Sequence, residues 1–329
     1  MRNYIIKRLF IAAIILFFVA FVIYCIMRSL PMSYIERLAQ QRAQAPGSVK
    51  SYEEWVLQLG AVYGMDKGII AGFFSWAANA LRGNFGDSWL FNMSVVKKFK
   101  EVITDSVYLN FCAAFFTYSI AIPLGMLAAQ RQYKKTDYIV TVAALIGISL
   151  PTFFLATLLK LLFSVKLGLF DLYGKVGRNH LTFSYFGQIL DIIKHYILPV
   201  CTLTIISVGS LMRYTRTNML EVLHSDYIRT ARSKGLPEKI VIYHHAFRNT
   251  LIPLVTILAG MLPSLFSGAM ITEVLFQIPG IGYTSYLAIT QGDIPFAMFF
   301  MVFLSLLTLT GTLISDILYA AVDPRVRIA

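Results

Sequence analysis

A chain of 329 residues that is 57% hydrophobic and only 14% charged exceeds the roughly 45–50% apolar share of soluble domains, which excludes an ordinary soluble globule. Its formal net charge of +12 does not mark a nucleic-acid binder, because the basic residues fall between apolar runs and not on one face of a soluble fold. Cys25, Cys112 and Cys201 each sit inside an apolar run without paired or metal-ligand spacing, so neither a disulfide framework nor a metal site is expected.

Arg2, Lys7 and Arg8 precede an apolar run over 9–27, about the twenty residues that cross roughly 30 Å of hydrocarbon. A signal peptide has a shorter core followed by a small-residue cleavage site; RSLPMSY supplies none, so the segment reads as a retained first span. Over 28–100 the chain is water-compatible. Ser51-Tyr52-Glu53-Glu54 has capping-box spacing, and Trp55, Leu59 and Tyr63 follow on one helical face. A second amphipathic helix is expected over 66–81, with Ile69, Phe73, Trp76, Ala77 and Ala80 inward, ending in the glycine-rich turn LRGNFGDS.

The second span is expected over 105–129, where Pro123 and Gly125 are tolerated if neighbouring helices satisfy the freed backbone groups. Arg131, Lys134 and Lys135 crowd the short loop after it. The third span, over 138–163, contains Pro151 and carries Lys160 near its outer end, within reach of the headgroups. In the loop at 164–194, Gly168 and Gly174-Lys175 superficially resemble a phosphate-binding loop. Five residues separate those glycines where four are needed, Val176 replaces the Ser or Thr, and no strand precedes, so no ATP site is expected in this chain. A fourth span follows over 195–212, and a fifth over 251–275 with Pro253, Pro263, Gly260 and Gly268. QIPGIGYTSYLAITQGDIP then reads as a turn and a helix too short to cross, before a last span over 296–321 and the tail VDPRVRIA.

Between the fourth and fifth spans lies a polar stretch, 213–248, that reads as a folded corner. Ser225 and Asp226 can cap a helix over 227–234, Gly235 can end it in the left-handed conformation, and Pro237 suits the first turn of a second helix. Arg2, Lys7 and Arg8, then Arg131, Lys134 and Lys135, then the basic residues of this stretch, then Arg325 and Arg327, all fall on one side of a six-span topology. That distribution makes both termini and the corner cytoplasmic; the nine basic residues of the long first external loop carry little weight, since loops above about 60 residues translocate largely regardless of charge, and Lys166, Lys175, Arg178 and Lys194 in another external loop are the one real exception. No catalytic or cofactor constellation is visible, and adjacent His244 and His245 point about 100° apart on a helix and cannot share an ion. Asp316 is the acid inside a transmembrane run, where a charge costs about 2.5–3.5 kcal/mol, so it is either a functional polar site or half of a structural pair.

Arg229-Thr230-Ala231 followed four residues later by Gly235 resembles the EAA loop of ABC importer permeases, and RTARSKGLPEKIV resembles its peptide and nickel branch. Arg229 stands where the general motif has glutamate, and His245, Phe247 and Arg248 stand where its later Ile, Leu and Pro fall; the peptide and nickel branch shares such departures. MDKGIIAGFFSWAANALRGNFGDS is similar to the first external loop of peptide-type permeases, with Asn84 and Phe85 inside the closing Gly-Asp-Leu-Gly-x-Ser pattern. EVLFQIPGIG and DILYAAVDPRVRI are similar to the same family, so the resemblance covers nearly the whole chain.

The resemblance implies an all-α polytopic membrane protein with six transmembrane helices in a bacterial plasma membrane. Residues 1–28 would be the N-terminus and first span, 29–100 an external helical loop, and 101–329 a permease core with a coupling loop at 213–250. It implies a coupling helix at Arg229, Thr230, Ala231, Arg232, Lys234, Gly235, Leu236, Pro237, Glu238 and Lys239, docked on a separate ATPase. Partners would be a second homologous permease, two ATPase subunits that bind ATP and Mg, and an external substrate-binding protein delivering peptides or related small solutes, with no cofactor in this chain. The plain readings of the corner and of the external loop are a helical hairpin that docks nothing and a packed lid. The alternative function is a stand-alone secondary transporter or channel, which would place ionisable groups near the midplane of several spans; this chain does not.

Overall fold

In a computed structural model of the chain the described residues are 2–29, 34–44, 50–62 and 68–322, with side chains described for the same residues except 2–5, 34, 60–62, 252, 255, 256, 258–262 and 316–322. Tyr63, Asp66, Arg325 and Arg327 lie outside the described residues, as does the side chain of Asp316.

The chain begins with α1 (Arg2–Ser29), α2 (Tyr34–Ala43), α3 (Tyr52–Val62) and α4 (Ile69–Ala80). A two-stranded antiparallel turn follows, β1 (Asp87–Ser88) against β2 (Met93–Ser94), and then α5 (Val95–Gln130). Next come α6 (Lys135–Ser149), α7 (Thr152–Leu159, continued by π-helical turns at Lys160–Lys166), and the long α8 (Tyr185–Leu223).

 The remaining elements are α9 (Asp226–Ser233), α10 (Glu238–Ile240, with π-helical turns at Val241–Ala246), α11 (Phe247–Ser267), α12 (Met270–Phe276), α13 (Ile281–Thr290) and α14 (Ile294–Val322). The all-α polytopic expectation holds.

Among the described residues four helices are long and apolar enough to cross a membrane, within Ile6–Ser29, Val95–Gln130, Tyr185–Leu223 and Ile294–Ser315; the count reaches six if two bent pairs each form one span. The expected third span is one of those pairs, because α6 and α7 meet at 101°. Pro151 is the cause. It has no N–H to donate, and its ring drives the preceding residue out of helical geometry; Leu150 is extended at φ −84° and ψ 125°. The expected fifth span is also divided, since Gly268 takes φ +76° between α11 and α12. The expected fourth span starts earlier and ends later than its apolar core. Ser184 caps α8 by accepting from the Gly187 N–H at 3.3 Å, and the 39 residues of α8 reach about 58 Å, well past the hydrocarbon.

The described residues pack as two units, those within Met1–Thr104 with Ile281–Thr310, and Asp105–Gly280 with those within Gly311–Arg327. In the first, Phe73 of α4 is buried and meets Phe21 and Tyr24 of α1 with ring centroids 5.0 and 5.7 Å away. Trp76 and Ala77 are half-buried, but Ile69, at the very start of α4, is exposed and not inward. The capping box at the head of α3 is formed: Ser51 Oγ accepts from the Glu54 N–H at 3.3 Å and Glu54 Oε2 accepts from the Ser51 N–H at 2.9 Å.

In the second unit, small residues let helices touch through their backbones. A Cβ added to Gly209 of α8 would lie 2.5 Å from the Ala144 carbonyl of α6, and one added to Gly125 of α5 would lie 2.7 Å from the Met212 carbonyl of α8.

Candidate functional site

The corner after α8 is built from short-range rules. Ser225 is extended at φ −73° and ψ 152°, and its carbonyl accepts from the Ile228 and Arg229 N–H groups, so the backbone turns into α9 there. The side-chain cap expected of Ser225 is not made: its Oγ donates back to the Val222 carbonyl at 2.6 Å, completing the end of α8 instead. Asp226 occupies the first turn of α9, where a carboxylate favours the helix dipole. Gly235 takes φ +73° and donates its N–H to the Arg232 carbonyl at 2.9 Å. A Cβ at Gly235 would meet nothing within 4 Å, so the demand for glycine is one of backbone conformation and not of space. Pro237 precedes α10 and lies outside its first turn, at φ −56° and ψ 137°, with its carbonyl accepting from the Ile240 and Val241 N–H groups.

One side of this corner is inward. Ile228 and Ala231 of α9 are buried with Met219 of α8, Ala129 at the end of α5, and Val241 and Ala246. The other side is open: residues 232–240 are exposed without interruption. Among the expected docking residues, Ala231 is therefore turned into this chain's own core, while Arg229, Thr230, Arg232, Lys234, Gly235, Leu236, Pro237, Glu238 and Lys239 face outward. Arg232 reaches across the bend to Glu238, its Nη2 donating to Oε1 at 2.8 Å and its Nε to Oε2 at 3.3 Å, which leaves Arg229, Lys234 and Lys239 as the corner's outlying positive charges. Arg229 is 3.6 Å from Asp226 with both side chains in solvent, a contact worth little. Tyr227, Ile240 and Tyr243 add exposed apolar surface beside Leu236. Sequence reasoning overlooked all three, although an isoleucine and two tyrosines in so basic a stretch were visible.

A second centre went unread in the sequence. Asp137, in the first turn of α6, is buried, and its two carboxylate oxygens accept from Arg216 Nε and Nη2 of α8, both at 2.7 Å. The Tyr133 N–H and the Thr141 hydroxyl also donate to it, at 3.0 and 3.3 Å. This bidentate pair fixes α8 to α6 two helical turns before the corner, where geometry of this kind resists rotation as well as separation. Its signal was an acid at the head of an apolar span opposite an arginine that the sequence assigned to a loop.

Two further acids are withdrawn from solvent. Glu273 of α12 is fully buried and accepts from the Ser106 hydroxyl at 2.7 Å and the Ala269 N–H at 3.0 Å. Lys160 nearby is buried too, contrary to the expectation that it reaches the headgroups: its Nζ donates to the Leu275 carbonyl at 2.7 Å and lies 3.8 Å from the Tyr173 ring centroid. The carbonyl at the end of α12 lacks a helical partner, which is why a cation is held there. In the other unit, Asp293 is fully buried and accepts from the Ser88 hydroxyl and from the Trp89, Leu90 and Phe296 N–H groups. Burial nonetheless raises its carboxyl above the usual range, outweighing those donors.

Lys175, in the glycine-bearing loop, is ion-paired with Asp105, and that loop is not followed by a helix until the single turn at His180–Thr182. Among the described residues no group of three or more His, Cys, Asp or Glu side chains could hold a metal ion, and the His244 and His245 rings stand at 88° to one another.

Residues 121–328 match the protein family described as binding-protein-dependent transport system inner membrane component. The chain is 33% identical over 328 residues to the oligopeptide transport system permease protein AppB of Bacillus subtilis (strain 168), covering 99% of this chain and 100% of that one. It is 31% identical over 340 residues to the di/tripeptide transport system permease protein DppB of Pseudomonas aeruginosa (strain UCBPP-PA14), covering 99% of each. To the oligopeptide transport system permease protein OppB of Mycobacterium bovis it is 32% identical over 334 residues, covering all of both.

Proposed function

The chain belongs to the family of binding-protein-dependent transport system inner membrane components, and from that premise we propose that it is the permease subunit of an ATP-driven importer for peptides or related small solutes. The peptide class is supported by relatives whose names are those of oligopeptide and di/tripeptide permeases. The chain sits in a bacterial plasma membrane with both termini and the coupling loop at 213–250 in the cytoplasm, a reading supported by the bias of its basic residues. It pairs with a second, homologous permease, receives solute from an external binding protein, and takes its energy from two ATPase subunits that bind ATP and Mg.

The observation that carries this reading is the open face of the corner. This face combines exposed Leu236, Ile240 and Tyr243 with exposed Arg229, Lys234 and Lys239, and it is held in shape by a left-handed glycine and a cross-bend ion pair. Apolar residues at the centre of such a patch supply packing energy, and charges at its rim set association rate and salt sensitivity. ATP-driven approach of the two ATPases would carry the corner as a rigid body and tilt α8, to which α9 is joined by two residues. The test is co-purification and reconstitution. The chain co-expressed with its ATPases should hold them at full stoichiometry and import peptide only when ATP and the binding protein are present. Peptide uptake by the chain alone would favour a stand-alone secondary transporter or channel and sink the proposal.

A further inference from the structure

A cavity of about 580 Å³ lies within the second unit between α5, α8 and α11, in the size range of small-molecule sites and in the place where helix bundles carry them. Its described polar wall consists of Asn110, Thr117 and Tyr118 of α5, Ser207 of α8, and Ser264 and Ser267 of α11. The described lining contains no Asp, Glu, Lys, Arg or His, and the sequence of α11 from Leu251 onward is free of charge. Thr117 is 5% exposed and its Oγ1 has no hydrogen-bond partner among the described residues. A helical threonine normally returns its hydroxyl to the carbonyl four residues back, but here the Ala113 carbonyl already accepts from Thr204 at 3.4 Å. Asn110 spends its amide on the Leu265 carbonyl at 3.3 Å, which leaves its Oδ1 as an acceptor. Thr117 lines the cavity while its Oγ1 is turned out of reach of it; an orphaned buried hydroxyl destabilises the fold that contains it, so turning it toward an occupant would relieve that cost.

We propose that this cavity is the part of the solute path contributed by this chain, and that it takes the uncharged amide main chain of an extended peptide, with Thr117 and Asn110 as its hydrogen-bonding groups. The inference rests on the permease reading above and deepens it. A wall that offers hydroxyls and a carboxamide but no charge can pair with the repeating N–H and C=O groups of any peptide while remaining indifferent to side-chain charge. Thr117 presents its hydroxyl to the passing amide by a rotation of roughly 120° about χ1, between the two rotamers that a helical threonine populates.

The experiment uses the assembled transporter, with its binding protein and ATPases, in liposomes, and radiolabelled trialanine and trilysine as probes. Thr117→Val removes the hydroxyl at constant shape. It should raise the thermal stability of the complex, because an unsatisfied polar group is gone, and it should lower uptake of both peptides by a common factor of about five, the worth of one neutral hydrogen bond. Thr117→Ser should restore uptake. Ala114→Trp, which fills the cavity from the same wall, should abolish uptake while the ATPase subunits still co-purify. A stabilised Thr117→Val transporter with undiminished uptake, or uptake that survives Ala114→Trp, would overturn the cavity assignment and leave the permease reading standing. Absence of peptide uptake by the unaltered transporter would overturn both.

Discussion

Gly235 offers the sharpest test of the corner, because its cost can be worked from geometry alone. The residue sits at φ +73° with open space around the position of a Cβ, so a substitution meets no neighbour and incurs only the left-handed penalty. For an L-residue that penalty is about 1–2 kcal/mol, largest for a β-branched side chain and smallest for asparagine. An energy of that size reduces the population of the native bend about 5–30-fold. The bend aligns Arg232 with Glu238, so the ion pair should be lost with it. Peptide uptake and ATP hydrolysis measured together in reconstituted transporter should therefore fall out of proportion in the order Gly235→Asn, Gly235→Ala, Gly235→Val, with hydrolysis persisting while uptake declines. Membrane insertion should be normal throughout. Wild-type uptake by Gly235→Val, or a ranking that follows side-chain volume with asparagine worse than alanine, would refute the backbone argument.

At the centre of the open face, Leu236→Asp should release the ATPase subunits on purification, whereas Lys239→Ala should leave a complete complex that dissociates at lower salt; retention of partners at full stoichiometry by Leu236→Asp would count against the docking role. A cysteine replacing Lys234 should react with an impermeant thiol reagent only from the cytoplasm, and one replacing Arg82 only from outside; external labelling at Lys234 would invert the topology. Asp137→Asn leaves Arg216 facing a neutral group in a largely buried site, and the transporter's melting point in detergent should drop by the equivalent of about 3–5 kcal/mol, with much of the loss recovered when Arg216→Met is added. For Asp293, burial raises the folded carboxyl above its unfolded value, so its contribution to stability is present below the unfolded pKa and is lost as pH rises through the folded one. Thermal melts between pH 4 and 8 should show that loss, and Asp293→Asn, which cannot ionise, should flatten the dependence by about one titrating group.

Much of this protein was legible without coordinates because the bilayer imposes its demands locally. Each apolar run had to become helix, since lipid offers its backbone no other partner, and capping at Ser51, the left-handed Gly235 and the basic bias of the loops are properties of a few neighbouring residues. What the sequence could not settle were outcomes that depend on what stands opposite. Pro123 and Pro199 lie within unbroken helices while Pro151 ends one and turns the chain by 101°, because only surrounding packing decides whether a missing N–H is tolerated or becomes a break. Lys160 looked like a residue bound for the headgroups until α12 brought the Leu275 carbonyl to it. Arg216 and Asp137 are 79 positions apart and become one clamp through the packing of α8 on α6. Ala231, grouped by motif with the outward residues, faces Met219 and Val241 instead. Local chemistry determines which segments are helical and where they can start or bend; the partner of a buried charge, the face a helix presents and the space left between helices are set by nonlocal packing, and those are the features on which docking and transport depend.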